Sequence, residues 1–173
     1  MKKFLLIAAL AAISSGATAQ NKPSNDPNDT AKLTYVEVFN IGQALRQMGN
    51  YHDNRQMLVQ VPFKFDGRTL ISFAVNIRAA DDAQKVYQEA YAKFEAHELG
   101  DVNELKPEEV RQKKMTIATS DAAKRMLEKP AGALMVRIKE SDLCMKSPPV
   151  DPCTQANNIS PTLLATILPL IER

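Results

Sequence analysis

The stretch "LTYVEVFNIGQALRQMGNY", residues 33–51, carries both ends of a helix and its buried face. Thr34 is a capping residue, and Glu37 follows three positions later, where its carboxylate can reach back to the amide that the cap leaves open. Leu33 and Val38 occupy the two positions of a hydrophobic staple. Val38, Ile41, Leu45 and Met48 fall on one stripe at helical spacing, and Gly49 is placed to end the helix. A segment so marked has to pack its stripe against something, and the rest of the chain supplies the partners.

Leu58–Phe65 reads as a half-buried strand, because Val59, Val61, Phe63 and Phe65 alternate with polar residues or proline. Pro62 lacks an amide hydrogen and assigns that strand to an edge. Asp66-Gly67 fits a hairpin turn, but a two-residue loop would put Ile71, Phe73, Val75 and Ile77 on the wrong face. A three-residue loop would restore the register. Leu70, Phe73, Ala74 and Ile77 fit helical spacing as well, so helix is the favoured reading over residues 69–78. Residues 81–99 are more clearly helical, with Val86, Tyr87, Ala90, Tyr91 and Phe94 in one stripe and Gly100 beyond the last turn. Asp81 and Asp82 either cap a new helix or bend a continuous one.

Further on, Pro107 starts a charged, exposed helix. Ser120 caps another, which stops at Pro130. Leu134, Val136 and Ile138 alternate and make Leu134–Lys139 a second short strand, the natural partner of residues 58–65. Ser160 caps the last helix, Pro161 takes its first position, and Leu163, Leu164, Ile167 and Ile171 form its apolar face. Pro169 should end or kink it. The expected fold is therefore α+β: one mostly helical domain over residues 32–173, with a long central helix, two short strands and a C-terminal helix.

The first residues speak of destination. Lys2 and Lys3 precede an apolar run from Phe4 to Ile13, and Ala17-Thr18-Ala19 is a small-x-small site. This is the anatomy of a secretory signal peptide, with cleavage expected between Ala19 and Gln20 and a periplasmic or secreted product. The run is too short to cross a bilayer, and no second long apolar run follows. Residues 20–31, "QNKPSNDPNDTA", hold no apolar side chain larger than alanine and read as a disordered tether. Without Lys2 and Lys3 the 22 basic residues fall to 20, against 20 acidic ones. A neutral domain has no electrostatic footprint for nucleic acid or an anionic membrane.

Catalytic patterns are missing. No Gly-x-Ser-x-Gly, Ser-x-x-Lys or glycine-rich phosphate loop occurs. The two histidines, His52 and His97, have no nucleophile or base in a recognisable setting. Asp26, Asn28 and Glu37 echo a calcium loop that lacks its central glycine, and Glu37 is better used in the capping box. Carboxylate pairs such as Glu108-Glu109 lie near helix starts, where the dipole accounts for them. No catalytic, cofactor-binding or metal-binding residue is assigned.

Cys144 and Cys153 are the only cysteines. Their spacing is not that of a Cys-x-x-Cys redox centre, and a zinc site wants four ligands in paired spacing. Cys144-Met145 is a soft pair that copper would favour, but no other ligand accompanies it. In an oxidising compartment a structural disulfide is the favoured reading. Closing so short a loop, stiffened by Pro148, Pro149 and Pro152, stabilises the fold by about 2.5–3 kcal/mol.

The pieces "NIGQALRQM", "VNIRAADDAQKVYQEAYAKF", "VRIKESDL" and "ISPTLLATILPLIE", in that order, resemble small proteins of tailed phages and prophages. The resemblance implies a long central helix and a C-terminal helix after a strand. It implies no activity and no site residues. The leader and the cysteine loop depart from that pattern. Three functions follow as expectations: an exported, non-enzymatic protein-interaction module first, then a periplasmic enzyme or metal carrier, then a phage-type structural or assembly protein.

Overall fold

The computed structural model describes residues 30, 32–49, 63–103, 105–145, 153 and 156–172. Helix α1, Tyr35–Gly49, starts as its sequence dictates. The Glu37 carboxylate accepts from the Thr34 N–H at 2.8 Å, and the Thr34 hydroxyl accepts from the Glu37 N–H at 3.3 Å. Val38, Ile41, Leu45 and Met48 are all buried, joined by Phe39, Gly42 and Ala44.

Helix α2, Gly67–Leu99, is 33 residues long, which at 1.5 Å per residue is about 50 Å. Residues 69–78 are helical, and the helix runs on through Asp81 and Asp82. Asp66-Gly67 is its start rather than a hairpin turn: the Asp66 carboxylate accepts from the Thr69 N–H at 2.7 Å. Once Asp66 caps, Phe73, Asn76, Ile77, Ala80, Ala83, Tyr87 and Tyr91 line a single buried stripe. Gly100, with φ of 64°, closes the helix in the left-handed region that glycine adopts without strain.

Helix α3 (Pro107–Thr119) has no fully buried residue and lies along the far end of α2, with Lys114 paired to Glu95 at 3.0 Å. Helix α4, Asp121–Leu127, is capped by Ser120 as expected. Helix α5, Pro161–Ile167, is capped by Ser160. Pro169 then turns the chain through a short 3-10 segment, Leu168–Leu170, so Ile171 sits on a strand instead of on the helix face.

The strands differ from expectation in length and pairing. Strand β1 is Ile138–Lys139 and strand β2 is Ile171–Glu172; they run parallel, Ile138 beside Ile171. Residues 134–137 belong to no ladder, and side chains bond the backbone of Met135 and Val136 instead. Residues 63–65 are extended and outside any sheet, so they do not partner β1. The remainder of the expected strand, residues 58–62, lies outside the described residues, as do residues 1–29.

The expected tether also ends differently. Thr30 is 1% exposed, and its hydroxyl accepts from the Met135 N–H at 3.1 Å. A small β-branched residue with a hydroxyl can enter a core when a backbone donor meets it there. Just beyond, Tyr35 N–H donates to Lys129 and Ala131 N–H donates to Leu33, which ties the start of α1 to the end of α4.

Helix α1 crosses α2 where both side chains are smallest. A Cβ on Gly42 would stand 2.7 Å from the Ala80 Cβ. Beside the crossing, Arg46 pairs with Asp81. Tyr35, Phe39 and Tyr87 pack as a triangle with centroids 5.4–5.9 Å apart, and Tyr91 and Phe94 extend the row along α2. Among the described residues no helix is long and apolar enough to cross a membrane.

Candidate binding surface and the cysteine loop

The two cysteine sulfurs are 2.13 Å apart, at bonding distance, with the Cα atoms 5.4 Å apart. A 3-10 turn, Glu140–Leu143, leads into Cys144, which takes a left-handed backbone with φ of 55°. Each sulfur faces a backbone carbonyl: Asp142 at 3.6 Å from Cys144 and Ser141 at 3.7 Å from Cys153. Carbonyl oxygens do not stabilise a thiolate, so the setting suits a staple better than a reactive centre. Cys144 spends its sulfur on Cys153, so it does not offer a copper ion a thiolate beside Met145.

The cysteine loop positions a residue that sequence reading passed over. Asn157, 4% exposed, donates its N–H to the Cys144 carbonyl at 2.6 Å. Its side chain accepts from the Lys64 N–H at 2.9 Å and donates to the Lys64 and Leu143 carbonyls at 2.8 and 3.1 Å. One amide thus imitates a strand edge for residues 63–65. Asn76, wholly buried in α2, does the same for Val136: it accepts from the N–H at 2.6 Å and donates to the carbonyl at 2.9 Å. The signal for Asn76 was present, since an asparagine on the stripe between Phe73 and Ile77 must find a partner. Nothing in the sequence says that the partner is Val136.

Arg137 donates to the Pro169 carbonyl. With Thr30 on Met135 and Asn76 on Val136, the segment from Ala131 to Arg137 is held by three side-chain contacts. Its outward residues are Leu134, 66% exposed, and Val136, 44% exposed, while Ala133 and Met135 point into the core. Two aliphatic side chains are therefore displayed on a backbone fixed from both edges.

The residues considered for chemistry do not converge. His97 is exposed on the last turn of α2, with its ring 3.3 Å from Glu98. His52, Asp26 and Asn28 lie outside the described residues. Glu37 and Glu109 are committed to capping Thr34 and Lys106. Among the described residues no three His, Cys, Asp or Glu side chains group as metal ligands.

Titration shifts follow structure rather than chemistry. Burial, and then the charge at Tyr91, pushes Tyr87 up to about 12; burial, and then Glu95, raises Tyr91. Asp82 is held low by the Lys85 ammonium that it accepts from at 2.9 Å, with Arg78 adding to the effect. Asp66 is held low by the nearby Thr69 hydroxyl first and the Thr69 N–H second. That hydroxyl makes no hydrogen bond of ordinary geometry, so it acts as a facing dipole, and the N–H contact is the firm one.

Compared with models of protein families, with curated proteins and with solved structures, the chain matches none.

Proposed function

We propose that this is a small exported protein that works by binding another protein and performs no catalysis of its own. One observation carries the reading: Thr30 and Asn76 are buried and spent on backbone, and the segment they hold displays Leu134 and Val136 to solvent. Polar groups aimed at a substrate would leave a different pattern, with donors and acceptors converging on a cavity. A rigid backbone with outward aliphatic side chains gives a partner contact area at little entropic cost.

Export is part of the proposal. It rests on the charged and apolar leader with its Ala-x-Ala site, and on a cysteine pair at bonding distance, which an oxidising compartment preserves.

Site-specific photo-crosslinking in the native host tests it. A benzophenone side chain at Leu134 or Val136 should give one discrete adduct in the exported fraction, and one at exposed Glu128 should not. Equal labelling at all three positions would count against the reading. Turnover of a substrate by the purified protein, lost on His97→Ala or His52→Ala, would replace it with the enzyme reading.

A further inference from the structure

Helix α3 buries almost nothing. Of its 13 residues none is fully buried, and only Val110 and Ile117, seven positions apart on one face, are half-buried. Its hydrophobic attachment therefore rests on two side chains, whereas α1 and α2 each bury a full stripe. The joint is open as well. A cleft of about 440 Å³ lies between α3 and the end of α2, lined by Glu98 on one side and by Glu109, Lys113, Thr116 and Ile117 on the other. Packed helices interdigitate along their contact, and these two do not close over that length.

Charge supplies part of what packing leaves out. Lys114 reaches Glu95 at 3.0 Å, and the Lys113 ammonium donates to the Leu99 carbonyl at 3.4 Å. Both lysines are exposed, so salt screens these contacts. The ends of α3 also isolate it from its neighbours. Gly100, at φ 64° and ψ −152°, lies in a backbone region open to glycine alone, so the helical ladder of α2 stops there. Ser120, at φ −65° and ψ 154°, breaks the helix between α3 and α4. Its hydroxyl accepts from the Ala123 N–H at 3.2 Å, so α4 keeps its own cap without α3. A helix of this length is marginal in water once detached, and undocking therefore unwinds it.

We infer that α3 is an ion-latched strap, which undocks and unwinds as a unit while α1, α2 and α4 stay folded. The opening makes Arg111, Lys113 and Lys114 the first helical basic residues that a protease can reach in the native protein. Side-chain exposure does not confer this: Arg78, Lys85 and Lys93 on α2 are exposed too, but their backbone is locked by the buried stripe. The inference does not depend on which protein meets Leu134 and Val136.

Native-state hydrogen exchange and brief trypsin digestion of the purified protein test this. The amides of α3 should exchange together, at least about a hundredfold faster than those of residues 73–87 in α2. Lys114→Glu sets two carboxylates against each other and should speed exchange in α3 at least about threefold, with residues 73–87 unchanged. Glu95→Lys added to Lys114→Glu should restore the slower rate, which a merely poorer helix would not do. Sodium chloride at about 1 M should speed α3 in the wild type and leave residues 73–87 alone. Trypsin should cut after Arg111 or Lys113 before it cuts after Arg78, Lys85 or Lys93. Exchange of α3 as slow as that of residues 73–87, a rate indifferent to Lys114→Glu, no recovery in the double variant, or first cleavage within α2 would overturn the inference.

Discussion

The side-chain amide of Asn157 faces the backbone of Lys64 as one strand faces another, accepting from its N–H at 2.9 Å and donating to its carbonyl at 2.8 Å. Because Asn157 also donates to Leu143 and Cys144, one residue joins the start of α2 to the cysteine loop. Neither segment has a ladder of its own there.

Asn157→Ala should therefore lower stability by about 1–3 kcal/mol, since it leaves the buried Leu143 carbonyl and the part-buried Lys64 backbone without these partners. Asn157→Asp keeps the acceptor but sets a carboxylate against the Lys64 and Leu143 carbonyls, so at neutral pH it should lose at least as much. Urea unfolding reads both: the midpoint should move while the slope stays constant. Neutral behaviour of both variants would mean that water replaces the clamp.

Gly42→Ala separates two effects of opposite sign. By propensity alone, alanine inside a helix gains about 1 kcal/mol over glycine. The added methyl would stand 2.7 Å from the Ala80 Cβ, so α1 and α2 must separate, and overpacking of this kind costs about 1–3 kcal/mol. Net destabilisation is expected. Ala80→Gly in the same chain should relieve the clash, giving a favourable coupling in a double-mutant thermal-unfolding cycle.

The Cys144–Cys153 link should appear as a loss of two mass units in intact protein measured without reductant. Cys144→Ser with Cys153→Ser should cost about 2.5–3 kcal/mol, less whatever strain the loop carries. The same pair should raise hydrogen exchange at Lys64, through Asn157, although Lys64 touches neither cysteine. Two free thiols in the exported protein would refute the staple.

Tyr87 makes the fold sensitive to alkali. Its hydroxyl titrates at about 12 when folded and near its usual value of 10 when unfolded. Below pH 10 both states hold the proton and stability is unaffected. Between 10 and 12 only the folded state retains it, so stability falls as pH rises through that window. The urea midpoint of the wild type should drop more steeply above pH 10 than that of Tyr87→Phe. Parallel curves would mean that Tyr87 ionises freely in the folded protein.

Local signals in the sequence determined much of this molecule. The Thr34–Glu37 box, the Ser120 and Ser160 caps, Pro107 and Pro161 at helix starts, and the apolar stripes of α1 and α2 depend on residues within a few positions of each other. Backbone hydrogen bonding inside a helix is equally local, so such signals suffice to place it. The short spacing between Cys144 and Cys153 kept a staple within reach of one loop.

Only the tertiary structure decided what meets across the chain. Ile138 pairs with Ile171, and residues 63–65 stand outside that sheet. Asn76 finds Val136, Asn157 finds Lys64, Thr30 enters the core through Met135, and Gly42 lies against Ala80. A strand edge accepts any backbone or amide of matching geometry, so its partner is set by which packing buries the most apolar surface while leaving no buried donor unmet. That choice belongs to the whole chain at once, and no short stretch of the sequence records it.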